Sequence, residues 1–220
     1  MNKELVIKQT IEFVKKTLKD DITGHDFWHA YRVWKIAVQI ANNEGADMIT
    51  VELSALLHDI ADAKINNGDD IIGLEKVRNW LENSDIDVKR VKHICDIIEN
   101  ISFSKNVSSK NITTKEGMIV QDADRLDATG AMGISRTFTY GGFIKRPLHD
   151  PDIKPRDHKS NEEYQRYGNS SSINHFYEKL LLLKDLMNTD TAKKIAERRH
   201  RYMKQFLDEF YTEWEGKDLD

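Results

Sequence analysis

The 220-residue sequence contains one cysteine, three prolines and eleven glycines. A lone thiol makes no internal disulfide, which excludes a disulfide-stapled secreted scaffold and suits a reducing cytosol. Scarce proline and glycine argue against a turn-dense fold of short strands and leave room for long helices. No stretch approaches the ~18 consecutive apolar residues of a membrane-spanning helix. The opening Met1-Asn-Lys-Glu-Leu-Val-Ile-Lys8 lacks the apolar core and cleavage pattern of a signal peptide. Acidic residues outnumber basic ones, 37 to 33, so no basic face is implied and nucleic acid is not an expected partner. These absences predict a cytoplasmic protein without a membrane or nucleic-acid partner.

Hydrophobic residues make up 39% of the chain and charged ones 32%, enough apolar side chains for one helical domain spanning 1–220. Apolar positions recur every three to four residues over 2–19, 26–43, 47–62, 70–82 and 87–101, which predicts five helices. Cys95 falls inside the fifth and reads as a small core residue. The stretch 104–111 is polar and reads as loop, and Thr113 or Thr114 caps a helix over about 115–139 with Glu116 in its first turn. That helix is apolar almost all round and therefore central, yet it carries Asp122, Asp124 and Asp127. Residues 141–172 hold Gly141-Gly142 and all three prolines and read as a long lid-like loop, followed by helices over 173–188 and 190–214.

The chemistry concentrates in Leu53-Ser-Ala-Leu-Leu-His-Asp-Ile-Ala-Asp-Ala-Lys64. On a helix His58 and Asp59 diverge by about 100°, so they meet only at a point between their directions. Their approach is apolar, and a deep carboxylate is costly unless it is paired or bound to metal. His25-Asp-Phe-Trp-His29 adds two histidines four apart, on one face of the second helix. Zinc metalloproteases place a Glu after the first such His, and none stands there in this chain. One imidazole is therefore assigned to a cation and the other to the substrate. His29, His58, Asp59 and one aspartate of the 122–127 cluster then form a set of two imidazoles and two carboxylates. Such a set leaves open positions on a six-coordinate Mn, Fe, Ni, Co or Mg ion, where water is activated and a phosphate oxygen is taken up. Asp122 and Asp124 differ by about 200° around a helix, so they do not share one ion, and periodicity does not choose between them.

This H…HD…D order resembles the HD-domain metal-dependent phosphohydrolases. Ala123-Asp124-Arg125-Leu126 is similar to the segment supplying the last ligand in the alarmone hydrolases. The Gly24 to Val33 opening, the Gln121 to Gly133 segment and Ile173-Asn-His-Phe-Tyr-Glu-Lys-Leu-Leu181 resemble a bacterial subgroup of HD-domain hydrolases and nucleotide pyrophosphohydrolases, so the resemblance covers nearly the whole chain. It implies an all-α single-domain helical bundle. Within that bundle lie a metal-binding core over about 20–140, the loop 141–172 and C-terminal helices over 173–214. It implies His29, His58, Asp59 and Asp124 as ligands of one divalent ion, and the choice of Asp124 rests on it alone. Asp62, three residues after Asp59 and four after His58, shares their helical face, and it matches the position of an acidic residue that handles the attacking water's proton in related nucleotidases. His25, Lys64 and Arg125 are the expected substrate contacts, with Arg136, Lys145 and Arg146 as weaker candidates. His93 and His175 read as core histidines, and His149, His158 and His200 as surface ones. The implied activity is hydrolysis of a small-molecule phosphate substrate, a nucleoside triphosphate cut to monophosphate and pyrophosphate. A nucleotide phosphatase, an alarmone hydrolase and a non-catalytic metal- or nucleotide-binding module stand as alternatives, and a homodimer stays open. The alarmone option is weakened because Ala63-Lys64 replaces that family's adjacent acidic pair. Two-iron oxygenases need additional His ligands, and His93 is the only obvious spare.

Overall fold

The computed structural model describes residues 2–19, 24–62, 65–66, 69–101, 112–156 and 170–219, and among them there are helices and no strand. The chain divides into two compact units, Met1–Asp124 and Arg125–Asp220. No helix among the described residues is long and apolar enough to cross a membrane.

The first unit holds α1 (Lys3–Thr17), α2 (Phe27–Glu44), α3 (Met48–Leu57), a 3-10 turn (His58–Ala61), α4 (Asp70–Glu82), α5 (Val88–Ile101) and all but the end of α6 (Lys115–Asp127). In α3 every residue except Met48 and Glu52 is buried. An all-round apolar helix has no solvent face and takes the centre. It packs against α1, α2 and α5, which bury Val14 and the capping Leu18, Val33, Ala37 and Ile40, and Ile94 and Ile98 respectively. Cys95 is buried there as expected, and burial pushes its thiol above the usual range. Local chemistry marks the helix ends. Asp26 Oδ1 accepts from His29 N at 2.8 Å to start α2, and Gly45, at φ 67°, ends it in the left-handed region that glycine tolerates. Thr114 Oγ1 accepts from Gly117 N at 3.2 Å, making Thr114 the cap of α6.

The predicted helix 47–62 is α-helical only to Leu57. It then tightens to 3-10 geometry over His58–Ala61, with Asp62 N donating to Asp59 O at 3.1 Å, and Asp62 itself is extended at φ −67° and ψ 133°. Three residues per turn replace 3.6, so successive side chains diverge by about 120°.

The second unit holds the end of α6, α7 (Gly130–Phe143), α8 (Ser172–Glu178), a 3-10 stretch (Leu180–Leu186) and α9 (Asp190–Trp214). The helix expected over 115–139 is two helices. Thr129 is extended and its hydroxyl donates to Leu126 O at 2.7 Å, closing α6, while Gly130 sits at φ 66°. A Cβ at Gly130 would lie 3.0 Å from Arg199 Cγ, so the break needs glycine both for its backbone and for its space. The expected loop 141–172 is partly helical, because α7 runs through Gly141-Gly142 to Phe143. A Cβ at Gly141 would stand 2.3 Å from Ser172 Oγ, so here glycine serves close packing rather than a turn. Residues 144–156 are irregular, and the expectations for 157–169, His158 included, and for the polar stretch 104–111 fall outside the described residues. The helix expected over 173–188 is interrupted at Lys179, which separates α8 from the 3-10 stretch.

Helix α9 is amphipathic, burying Ala192, Ala196, Met203 and Leu207 and exposing its charges. Phe176 is fully buried, with its ring centroid 5.7 Å from that of Phe206 and 6.1 Å from that of Phe138. Phe176→Ala is expected to destabilise the protein by about 3–5 kcal/mol, the usual range for emptying such a site. Urea unfolding should show this as a lower midpoint with the slope retained, and an unchanged midpoint would contradict the packing.

Candidate metal centre

Four short segments of the first unit converge on one point. His25 precedes α2, His29 stands in its first turn, His58 and Asp59 open the 3-10 turn, and Asp124 lies in the last turn of α6. The two histidines of His25-Asp-Phe-Trp-His29 were expected on one helical face. Instead Asp26 is the N-cap, so His25 approaches from outside the helix, and the two rings meet edge to face at 5.9 Å.

Asp59 is the hub. Its Oδ2 is 3.1 Å from His25 Nδ1 and 3.3 Å from His29 Nε2, and its Oδ1 is 3.3 Å from His58 Nε2. Asp124 Oδ1 is 3.4 Å from His29 Nε2 and 3.9 Å from His58 Nε2. One donor atom each from His29, His58 and Asp124 lie mutually within 4.8 Å, and so do those of His25, His29 and Asp59. An octahedral ion with bonds of about 2.1 Å holds adjacent donors about 3 Å apart, so this crowding has the scale of a coordination shell.

The protonation pattern fits a cation as well. His58 Nδ1 is 2.8 Å from Ala55 O, which fixes the hydrogen on Nδ1 and turns the lone pair of Nε2 inward. Among the described residues the buried His58 Nε2 has no hydrogen-bond partner. Buried polar atoms are rarely left so unless something not built from protein satisfies them. His29 and Asp59 are 1% and 5% exposed, whereas the Asp124 side chain is 32% exposed and is the open side of the cluster. Burial pushes the Asp59 carboxyl up, but His58, His25 and His29 outweigh it and hold the group well below its ordinary range. Burial also raises Asp124, and the hydrogen bond and charge from His29, with His58, bring it down to about 2. Both carboxylates are thus held in the charged form a cation requires. Two imidazoles and two carboxylates suit a divalent ion with positions to spare.

The remaining sequence-predicted residues are placed as follows. Asp122 is fully buried and belongs to neither donor group. Asp62 was expected on the helical face of His58 and Asp59, but the chain is already extended there, so that spacing does not apply. Lys64 lies outside the described residues. Arg125 Nη1 donates to Leu186 O, and Arg136 pairs with the buried Asp127, so both guanidinium groups have structural partners. His175 is partly buried rather than in the core, and its pKa falls to about 3, chiefly through burial and then through Lys179 and Arg146. The His149 ring packs against Trp214 at 4.7 Å. Sequence reasoning missed the direct contact of His25 with Asp59 and the Ala55 carbonyl that sets the His58 tautomer. The first shows only once the N-cap is located. The second is a backbone atom three residues upstream and carries no side-chain mark.

The chain is similar to several known proteins along most of its length. The HD domain family model matches residues 27–129. The uncharacterized protein YpgQ of Bacillus subtilis (strain 168) is 35% identical over 215 residues, covering 97% of this chain and 96% of its own length. The crystal structure of YpgQ in complex with ADP matches with a TM-score of 0.78 at 34% identity, covering 97% of both chains. An HD-superfamily hydrolase from Bacillus thuringiensis matches with a TM-score of 0.77 at 45% identity, over 97% of this chain and 99% of that one. With the HD pair at the hub and the match running end to end, the chain belongs to the HD-domain superfamily of metal-dependent phosphohydrolases.

Proposed function

We propose that this chain hydrolyses nucleotides, cutting a nucleoside triphosphate to the monophosphate and pyrophosphate. The observation that carries this reading is the convergence of His29, His58, Asp59 and Asp124, the four residues proposed to hold one Mn, Fe, Ni, Co or Mg ion. A cation held by these residues would supply Lewis acidity, lowering the pKa of a bound water and offsetting charge on a phosphoryl oxygen. Asp62, three residues past Asp59, takes the proton from the attacking water. His25 engages Asp59 through Nδ1, and as an imidazolium it would donate its Nε2–H to a phosphate oxygen. Lys64 and Arg125 supply positive charge to the phosphates. Support for a nucleotide comes from the relative YpgQ, whose crystal structure is a complex with ADP. Because the relatives match from end to end, we read residues 1–220 as one working HD-type domain.

The test is a panel of nucleoside tri-, di- and monophosphates and alarmones, each with Mn, Co, Ni or Mg, assayed for pyrophosphate and for phosphate. Pyrophosphate from at least one nucleoside triphosphate is the expected result. Phosphate alone would make the protein a phosphatase, and turnover of alarmones alone an alarmone hydrolase. Silence with every metal would favour a non-catalytic binding module.

A further inference from the structure

The 3-10 turn that carries His58 and Asp59 is held by a side chain the proposed reaction does not use. A 3-10 turn of four residues has poor internal hydrogen-bond geometry and leaves carbonyls without partners at its C-terminal end. Here those carbonyls are answered by Asn66. Its Nδ2 donates to Ile60 O at 2.8 Å and to Asp62 O at 2.9 Å, and its Oδ1 accepts from Lys76 Nζ of α4 at 2.7 Å. Both amide hydrogens are used, and the charged Lys76 polarises the amide that donates them. The amide has one sensible orientation, since the flipped group would set Oδ1 against two carbonyls and NH2 against an ammonium. Asn66 is 5% exposed, so water offers little competition.

The helix facing this clamp is shaped to it. A Cβ at Gly73 of α4 would lie 2.4 Å from Asn66 Nδ2 and 2.7 Å from Ala61 Cα. Only a residue without a side chain lets α4 come this close. Asp62 is then tied on both sides, its N–H donating to Asp59 O and its carbonyl accepting from Asn66 Nδ2 and from Ile65 N at 3.0 Å.

We infer that Asn66, backed by Lys76, is a positioning residue: it fixes the exit of the HD turn and thereby the directions of Asp59 and Asp62. This rests on the reading above only in taking Asp59 as a cation ligand and Asp62 as the proton acceptor. Asn66→Asp keeps the shape but sets a carboxylate oxygen against Ile60 O and Asp62 O. Lys76→Gln weakens the same clamp from outside, and Lys76→Arg restores its charge.

The experiment titrates wild-type and variant protein with Mn²⁺ or Co²⁺ by calorimetry, with no nucleotide present, beside the melting temperature of the metal-free protein. Asn66→Asp should weaken cation binding by about tenfold or more, on the scale seen for residues that orient ligands. Lys76→Gln should weaken it less, and Lys76→Arg should return it towards wild type with no matching order in melting temperature. On any substrate the wild type turns over, kcat should fall more than KM rises. Wild-type cation affinity in Asn66→Asp would overturn the inference. If that variant does not fold, wild-type affinity in Lys76→Gln would overturn it. A wild-type protein that binds the cation but turns over no nucleotide would refute the nucleotide reading and leave the clamp standing or falling on the titration.

Discussion

Asp59→Ala is expected to abolish divalent-cation binding and hydrolysis together while the helical content stays. Asp59 contacts all three imidazoles, through both carboxylate oxygens. Its removal takes away the central negative charge and leaves His25, His29 and His58 facing one another around Asp124 alone. Substituting a residue that merely orients a ligand costs about 10–100-fold in affinity or activity, so loss of the hub should exceed about a hundredfold. Calorimetric titration with Mn²⁺ or Co²⁺ and an activity assay check the two losses, and far-ultraviolet circular dichroism checks the helices. The folded state has its own reason to persist, because the core around Leu53, Leu56, Leu57 and Ile60 does not depend on the carboxylate. Full activity in Asp59→Ala would refute the site.

The second large effect separates chemistry from binding. Asp62→Asn is expected to keep the cation affinity of the wild type and to lower turnover by roughly a hundredfold, the usual scale for losing general-base assistance. The change is isosteric, and Asp62 is tied into the turn through its backbone N–H and carbonyl, which the substitution leaves in place. Measured kcat at saturating metal decides the matter, and a kcat equal to the wild type would remove Asp62 from the mechanism. A fall in cation affinity of the same size as the fall in kcat would instead make Asp62 part of the binding shell.

Much of the fold was legible because helix periodicity is a local property. The apolar spacing of α1, α2, α4, α5 and α9 placed each within a few residues, and the apolar approach to His58 and Asp59 marked that pair as deep. The departures occur where a contact distant in sequence overrides local preference. The helix expected over 115–139 reads as continuous, yet Gly130 takes a positive φ beside Arg199, sixty-nine residues later. Gly141-Gly142 reads as a break, yet α7 passes through it because Ser172 fills the space a side chain would need. One further departure is local: the helix was expected to run on to residue 62, yet past Leu57 the chain tightens to a 3-10 turn, and Asn66, a few residues on, takes the carbonyls of Ile60 and Asp62.

The same division holds for the candidate site. The residue types, the HD pair and the H…HD…D order are properties of the string, and with them came the family and its metal-dependent chemistry. The family resemblance singled out Asp124 where helix periodicity could not, but which nitrogen of His58 carries the hydrogen, and that His25 leans on Asp59, were decided only by tertiary structure. The physical reason is that ligand identity is a matter of side-chain chemistry, readable one residue at a time. A common point in space depends on where helix caps and turn geometry send residues that are up to a hundred positions apart.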